Sequence, residues 1–406
     1  MNISRCISVV ITVLTMLLAE HVYGQWVATG TYTGRVYSLV TKGSEIFAGT
    51  NGGGVLLSTN SGLTWTAAST GLSNPYVWSL AVSDTNIFAG TIGGGGIFRT
   101  TNDGKSWTDA NTGIGDATVA ALAVIGSNVF AGTNGFAGGV YLSTDEGAHW
   151  SPTSATNTYV MSLGTDGVNL LIGTYGNGAL LSPDNGTSLT TMNTGLTNLF
   201  VQAFIVNGAD LFVGTGGGIF MSTDGSTWAL SDSATLKTSV LSFAVSGSNI
   251  FAGIYGGVLL STDNGTTWNP VDSGFAGNPN VYSLVVSGKY LIAGTDGGVY
   301  RRPISQMVTA VSKNGNLRPT HFSLSQNYPN PFNPTTIINY DIPRLSHVTL
   351  IIYDILGRQV EELMNGEKAP GRYQAMFNAS NLPSGVYFYR LQAGPYSKAM
   401  KLLLLK

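Results

Sequence analysis

Residues 45–65 read EIFAGTNGGGVLLSTNSGLTW, and this stretch decides the fold. Residues 47–50 and 55–58 have the composition of short β-strands, and the glycines at 52–54 form a turn between them. Ser58, Asn60 and Gly62 then define a second tight turn, and Trp65 follows it. The stretch therefore predicts two strands, a hairpin turn and the start of a further strand.

The same pattern recurs along the chain. Its FAGT-like glycine returns every 39–42 residues, at Gly49, Gly90, Gly132, Gly173, Gly214, Gly253 and Gly294. About a dozen residues before each glycine lies another strand-like segment of alternating residues, such as 36–39 and 77–80. Four short strands per repeat of about 40 residues are typical of a β-propeller blade. We predict an all-β fold with a seven-bladed β-propeller over residues 25–303.

The turn motif Ser/Thr-x-Asp/Asn-x-Gly closes six of the repeats, although the copy at 222–228 is one residue short, and a Trp follows it in five of them. The Asp or Asn side chain accepts backbone N–H groups across such a turn, and the glycine takes a positive φ. A structural role in these turns is predicted for Asn60, Asn102, Asp145, Asp184, Asp224 and Asp263. The Trp starts the fourth strand and is expected to be buried between neighbouring blades.

The seventh repeat lacks this motif and its Trp strand. A matching strand occurs at the other end of the repeat region, where residues 26–30 read WVATG. We predict that this N-terminal strand completes the last blade, because such a mixed blade closes the ring and leaves no open sheet edge.

Residues 25–303 resemble the Asp-box, or bacterial neuraminidase repeat, family on the strength of these turn motifs. The family includes sialidases, xyloglucan hydrolases, sortilin-type receptors and a photosystem II assembly factor, so the resemblance implies blade architecture rather than one chemistry. It also implies that the Asp-box turns lie on the face away from the functional site. The functional face would then carry the loops before each first strand and the glycine-rich loops after each second strand.

Catalytic residues are sparse on that face. A sialidase needs an arginine triad, but of the propeller arginines only Arg35 is well placed. Glycoside hydrolysis needs two facing carboxylates, and the weak candidates are Asp116 and Asp296. His149, the propeller's single histidine, lies inside a turn motif, so we expect no metal site and no cofactor.

Aromatic residues are the more prominent feature of the same face. We name as candidate ligand-binding residues Tyr32, Tyr76, Phe136, Tyr159, Tyr175, Phe200 and Tyr255; Phe275 flanks them. Exposed rings in a weakly charged dish suit stacking on sugars or anchoring a protein. They could equally fill gaps between blades.

The N-terminus has the pattern of a secretory signal peptide, residues 1–24, with Arg5 before an apolar run and Gly24 at the cleavage position. We expect no membrane span after cleavage. Charged residues make up 10% of the chain and the net charge is −2, so nothing favours a nucleic-acid partner.

The C-terminal part differs in composition from the repeats. It holds 10 Lys and Arg against 5 Asp and Glu from residue 304 onward, whereas residues 25–303 hold 8 against 15. Residues 304–321 are polar and are predicted to form a linker. Short strands with turns between them over residues 322–406 predict an immunoglobulin-like β-sandwich.

Residues 322–406 resemble the type A C-terminal sorting domain of the type IX secretion system. The matching segments are YPNPFNP at 328–334, YDILG at 353–357, LPSGVYF at 382–388 and KLLLLK at 401–406. The resemblance implies type IX secretion machinery as a partner, and transport through the periplasm to the outer-membrane surface or extracellular space.

Together these features predict an exported, monomeric binding or adhesion propeller whose partner is a polysaccharide or a surface protein. The alternative is an extracellular glycoside hydrolase or lyase of the sialidase-like group. A third possibility is a structural surface module without a small ligand.

Overall fold

A computed structural model describes residues 25–115, 117–135, 138–232, 238–313, 322–327, 329–344, 346–368, 371–394 and 396–405. The predicted signal peptide and two predicted site residues, Asp116 and Phe136, lie outside this range. The chain divides into two compact units after Ala310.

The first unit contains seven four-stranded antiparallel sheets, the blades of a β-propeller. The first strand, β1 (Val27–Thr29), belongs to the last blade. Blade 1 contains β2 (Val36–Lys42), β3 (Glu45–Thr50), β4 (Val55–Ser58) and β5 (Thr66–Ala67). Blade 2 contains β6 (Val77–Val82), β7 (Ile87–Thr91), β8 (Ile97–Thr100) and β9 (Thr108–Asp109). Blade 3 contains β10 (Thr118–Ile125), β11 (Asn128–Asn134), β12 (Gly139–Ser143) and β13 (Ser151–Thr156). Blade 4 contains β14 (Val160–Thr165), β15 (Leu170–Thr174), β16 (Ala179–Ser182) and β17 (Thr190–Thr191). Blade 5 contains β18 (Val201–Asn207), β19 (Asp210–Thr215), β20 (Gly218–Ser222) and β21 (Ala229–Leu230). Blade 6 contains β22 (Val240–Ser246), β23 (Asn249–Ile254), β24 (Gly257–Ser261) and β25 (Asn269–Pro270). Blade 7 contains β26 (Val281–Ser287), β27 (Tyr290–Thr295) and β28 (Gly298–Pro303), together with β1.

The first strands of neighbouring blades contact one another around the whole ring, so they surround the central axis. The recurring glycine on each second strand lets the next blade pack closely against it. A Cβ on Gly49 would lie 2.7 Å from Cγ1 of Val77 in blade 2, and one on Gly294 would lie 2.8 Å from Cγ1 of Val36 in blade 1. Only glycine leaves room for the neighbouring valine, which explains why the FAGT glycine returns in every repeat.

The tryptophans after the turn motifs contact the preceding blade. The indole Nε1 of Trp107 donates to the carbonyl of Ala68 at 2.7 Å, and that of Trp150 donates to the carbonyl of Ala110 at 2.8 Å. Both rings are almost fully buried. Each indole therefore contributes burial of a large apolar surface and a satisfied hydrogen bond across the blade boundary.

The N-terminal strand closes the ring as predicted. β1 pairs antiparallel with β28, and Trp26 Nε1 donates to the carbonyl of Val271 in blade 6 at 2.7 Å. Arg302, only 2% exposed, donates to the same carbonyl at 2.7 Å, and its burial lowers the pKa of the guanidinium. Residues from both ends of the propeller thus meet at one backbone oxygen.

The prediction of a linker over residues 304–321 is wrong for its first half, which forms helix α1 (Ile304–Lys313). Apolar residues at 304, 307, 308 and 311 recur with helical spacing, a pattern hidden by the polar residues between them. Met307 on this helix is fully buried.

The second unit is a two-sheet β-sandwich. One sheet contains β29 (Ser323–Leu324), β30 (Thr335–Ile342) and β33 (Gly371–Asn378) in the order β29–β30–β33. The other contains β31 (Ser346–Tyr353), β32 (Gln359–Lys368), β34 (Gly385–Ala393) and β35 (Tyr396–Leu404) in the order β32–β31–β34–β35. Residues of both sheets, among them Ile338, Leu350 and Tyr389, form one buried core.

The YPNPFNP segment holds the end of the last strand. Phe332 N donates to the carbonyl of Leu403 at 3.0 Å, and Leu405 N donates back to the carbonyl of Phe332 at 3.0 Å. Leu403 N also donates to Asn330 Oδ1 at 2.9 Å. This motif is therefore part of the fold, because it covers the edge of β35 next to the C-terminus.

Replacing the buried Asn327 by leucine is expected to destabilise the sandwich by about 2–3 kcal/mol. Its Nδ2 donates to the carbonyl of Pro329 and to Thr336 Oγ1, each at 3.0 Å; leucine would remove both bonds and leave that carbonyl with the Thr336 hydroxyl as its one donor. Hydrogen exchange of the β34 amides should accelerate in the variant. Unchanged exchange would show that the network contributes little.

Candidate functional site

The predicted turn residues lie in the turns between the third and fourth strands. Asn60 Oδ1 accepts from Ser58 Oγ at 3.0 Å and from Thr64 N at 2.9 Å, and Gly62 has a φ of +75°. Asn102, Asp145, Asp184, Asp224 and Asp263 make the corresponding bonds in their own blades. These side chains are occupied by the turn itself.

Hydrogen bonds from the turn lower the pKa of several of these carboxyls. The backbone N–H and the ring of His149 lower the pKa of Asp145 to about 2, and the ring nitrogen Nδ1 lies 2.7 Å from Asp145 Oδ2. Bonds from the backbone N–H groups of Thr227 and Ser226 likewise lower the pKa of Asp224. Carboxyls whose pKa is lowered in this way stay ionised at neutral pH, so Asp145 and Asp224 are poor general acids there.

The opposite end of the ring carries what we call the rim, two residues from each blade. One rim residue immediately precedes the valine at the start of the first strand, and the other is the second residue after the recurring glycine of the second strand. In ring order the rim consists of Arg35, Asn51, Tyr76, Ile92, Thr118, Asn134, Tyr159, Tyr175, Phe200, Gly216, Ser239, Tyr255, Asn280 and Asp296. Backbone bonds join the two rim residues of a blade, as from Tyr175 N to the carbonyl of Tyr159 at 2.9 Å. Bridges such as Tyr175 to Phe200 join neighbouring blades.

Three predicted aromatic residues come together on the rim of blades 4 and 5, and we call them the aromatic cluster. The ring centroids of Tyr159 and Tyr175 are 5.5 Å apart, and those of Tyr175 and Phe200 are 4.6 Å apart. Their exposed fractions are 43%, 59% and 39%, respectively. The rings support one another while keeping a large part of their surface in solvent.

The rim across the ring from this cluster is charged. Arg35 of blade 1 and Asp296 of blade 7 are rim neighbours because the ring closes between these blades. Arg35 Nη1 donates to Tyr37 Oη at 3.2 Å, and this bond raises the pKa of the guanidinium, with smaller contributions from Tyr282 and Asp296. Asn280 N contacts Asp296 Oδ2 at 3.4 Å.

A cavity of about 660 Å³ opens along the axis below the rim. The residue after the opening valine of each first strand lines it, and these seven half-buried residues are Tyr37, Trp78, Ala120, Met161, Gln202, Leu241 and Tyr282. Sequence reasoning missed them because it expected only short loops to form a site. The alternation of the first strands carried the signal, because alternate residues of strands that surround a ring point toward its axis.

The remaining predicted binding residues are dispersed. Tyr76 and Tyr255 are exposed on the rim at other blades, and Tyr255 also lines the cavity. Tyr32 is half-buried, and its hydroxyl donates to the carbonyl of Asn51 at 3.0 Å. Phe275 stacks on Trp26 with centroids 4.7 Å apart. Tyr32 and Phe275 therefore make contacts within the propeller.

The comparisons with known proteins concern first the C-terminal unit. Residues 326–405 match the family model described as a secretion system C-terminal sorting domain. This segment is a type IX secretion sorting domain. The sorting domain implies interaction with the secretion machinery, and it indicates export to the cell surface or extracellular space. No curated protein matches the chain. Within the described residues, none of the helices has the length and apolar character needed to cross a bilayer.

Solved structures similar to the chain are β-propellers. The extracellular domain of BT4673 from B. thetaiotaomicron matches with a TM-score of 0.57 and 18% identity over 78% of this chain and 46% of that one. PorZ, a surface component of the type IX secretion system of Porphyromonas gingivalis, matches with 0.55 and 16% over 92% and 60%. The GH74 xyloglucanase from Xanthomonas campestris matches with 0.56 and 14% over 78% and 59%. This chain thus covers less than two thirds of each, and at these identities the likeness concerns the fold.

Proposed function

We propose that this exported propeller binds carbohydrate chains at the cell surface through the aromatic cluster of its rim. The observation that carries the proposal is the set of three mutually supported, exposed rings of Tyr159, Tyr175 and Phe200. Sugar rings present apolar C–H faces that stack on aromatic side chains, and rigid aromatic residues lose little conformational entropy on binding.

The rim favours binding over hydrolysis. Glycosidases need two carboxyl groups about 5–9.5 Å apart on either side of the scissile bond. The described rim residues include one carboxylate, Asp296, which lies across the ring from the aromatic cluster. The turn carboxylates lie at the other end of the propeller, and hydrogen bonds from the turn lower the pKa of Asp145 and Asp224.

Replacing Tyr175 by asparagine is expected to weaken polysaccharide binding about 5- to 100-fold, corresponding to about 1–3 kcal/mol for an interface aromatic. Asparagine occupies the same rim position in blades 1 and 3, as Asn51 and Asn134, so the blade should tolerate it. Affinity would be measured by retention of the protein on a panel of immobilised polysaccharides, with release of reducing sugar recorded in parallel.

The matched control is Val168→Ser, which alters an exposed residue at the opposite end of blade 4. It should leave both affinity and melting temperature unchanged. Sugar release by the wild-type protein would contradict the binding role in favour of hydrolysis. Absence of retention on every polysaccharide would instead favour a protein partner.

A further inference from the structure

The axial cavity has an unusual electrostatic character. Among the described residues that line it, Arg35 is the one with a formal charge. The guanidinium Cζ lies 5.5 Å from the ring centroid of Tyr37 and 5.1 Å from that of Tyr282. No ion pair within 4 Å involves Arg35 in the described part of the chain. A cation is thus held at the mouth of an otherwise uncharged cavity, where low-dielectric walls strengthen its field.

Aromatic residues cover the cavity wall beside this cation. The centroid of Tyr37 lies 5.8 Å from that of Trp78 on one side and 5.6 Å from that of Tyr282 on the other. The next blade carries only Ala120 at the same level, so space remains beside Trp78. The indole of Trp78 therefore adjoins a free volume in the same cavity that Arg35 lines.

We propose that the cavity binds a carboxylate-bearing sugar, a hexuronate residue of an acidic polysaccharide. The carboxylate binds the guanidinium of Arg35, whose planar fork matches a carboxylate, and the sugar ring stacks in the space beside Trp78. The volume of about 660 Å³ lies within the usual range for small-ligand pockets. This inference rests on the proposed function and specifies its ligand class, because the rest of the chain would cross the rim toward the aromatic cluster.

The charge of Asp296 at the cavity mouth is opposite to that of Arg35, so its removal should have the opposite effect on binding. Its carboxylate lies near enough to Arg35 to raise the pKa of the guanidinium, so it offsets part of the positive potential at the mouth. Removing that negative charge should strengthen the binding of an anion, whereas removing Arg35 should weaken it. A catalytic Asp296 would behave differently, since its loss would abolish turnover rather than improve binding.

The test uses the full chain and oligosaccharides of galacturonate, alginate and hyaluronan, each with its carboxylates free or methyl-esterified. The ester keeps the chain and removes the charge. Each variant introduces the residue that another blade carries at the equivalent position: Arg35→Thr as in blade 3, Asp296→Asn as in blades 1 and 3, and Ala120→Leu as in blade 6. Binding would be measured calorimetrically at low and at 0.5 M salt.

For at least one free acid we expect binding about tenfold or more tighter than that of its ester, with the preference reduced at high salt. Arg35→Thr should abolish the preference, Asp296→Asn should increase it several-fold, and Ala120→Leu should weaken acid and ester alike by filling the space beside Trp78. Equal binding of acid and ester in every pair, no binding of any probe, or a preference that survives Arg35→Thr would overturn the proposal.

These measurements distinguish the aromatic cluster of the rim from the axial cavity as binding sites. If Tyr175→Asn weakens polysaccharide binding but the acids show no preference, the rim site stands without the cavity site. If the acid preference depends on Arg35 while Tyr175→Asn has no effect, the cavity binds the sugar and the aromatic cluster does not.

Discussion

Replacing Trp26 by alanine is expected to destabilise the propeller by about 3–5 kcal/mol, the usual cost of removing a buried tryptophan. Its indole is 2% exposed, stacks on Phe275 with centroids 4.7 Å apart and donates to the carbonyl of Val271. It also secures β1, the strand that covers the open edge of β28. Thermal unfolding followed by calorimetry should show a melting temperature lower by about 10 °C.

The control for this variant lies on the same strand. Val27 is 53% exposed, and Val27→Ala keeps the backbone pairing of β1 with β28, so it should change the melting temperature little. Deletion of residues 25–31 should destabilise the ring at least as much as Trp26→Ala. An unchanged melting temperature in the deletion would show that the ring does not depend on closure by its N-terminal strand.

The repeats made much of this fold predictable from sequence. The spacing of Gly49 and its equivalents reports a contact made in every blade, because each glycine lies against the valine that opens the next one. The Trp of residues 26–30 could be assigned to the last blade because every other blade already had a fourth strand. Helix α1 was missed because it occurs once, outside the repeat, and its few apolar residues are separated by polar ones.

The candidate site was harder to predict from the sequence because it depends on the order of residues around a closed ring. Arg35 and Asp296 are far apart in the sequence and become rim neighbours only when blade 7 meets blade 1. Tyr159, Tyr175 and Phe200 were recognised individually, but the ring contact between Tyr175 and Phe200 requires the bridge between blades 4 and 5. Tyr37 and Trp78 look like ordinary alternating strand residues until the first strands surround an axis.

The glycines after the fourth strands make a second contact between blades, and it is as tight as that of the FAGT glycines. Gly113, with a φ of +94°, lies directly against the backbone of Trp150 in blade 3, and Gly195 lies in the same way against Trp228. The carbonyl preceding Gly113, that of Thr112, accepts from Trp150 N at 2.8 Å. At these two boundaries the backbone itself closes the gap between blades, and no side chain fits between.

Replacing Gly113 by alanine is expected to destabilise the propeller by about 2–5 kcal/mol. The positive φ costs an alanine about 1–2 kcal/mol. The added Cβ would also overlap the carbonyl oxygen of Trp150, a backbone atom that cannot rotate away, and such overpacking costs about 1–3 kcal/mol more. Urea unfolding followed by circular dichroism would measure the loss of free energy.

Gly115→Ala separates these two effects in the same loop. Gly115 also has a positive φ, +65°, but a Cβ there would meet no atom within 4 Å. This variant should lose only the conformational cost of about 1–2 kcal/mol. Equal losses in the two variants would mean that blade 3 yields to the added methyl group, so that the contact between Gly113 and Trp150 does not fix the spacing of the blades. A larger loss in Gly113→Ala would assign the difference to that contact.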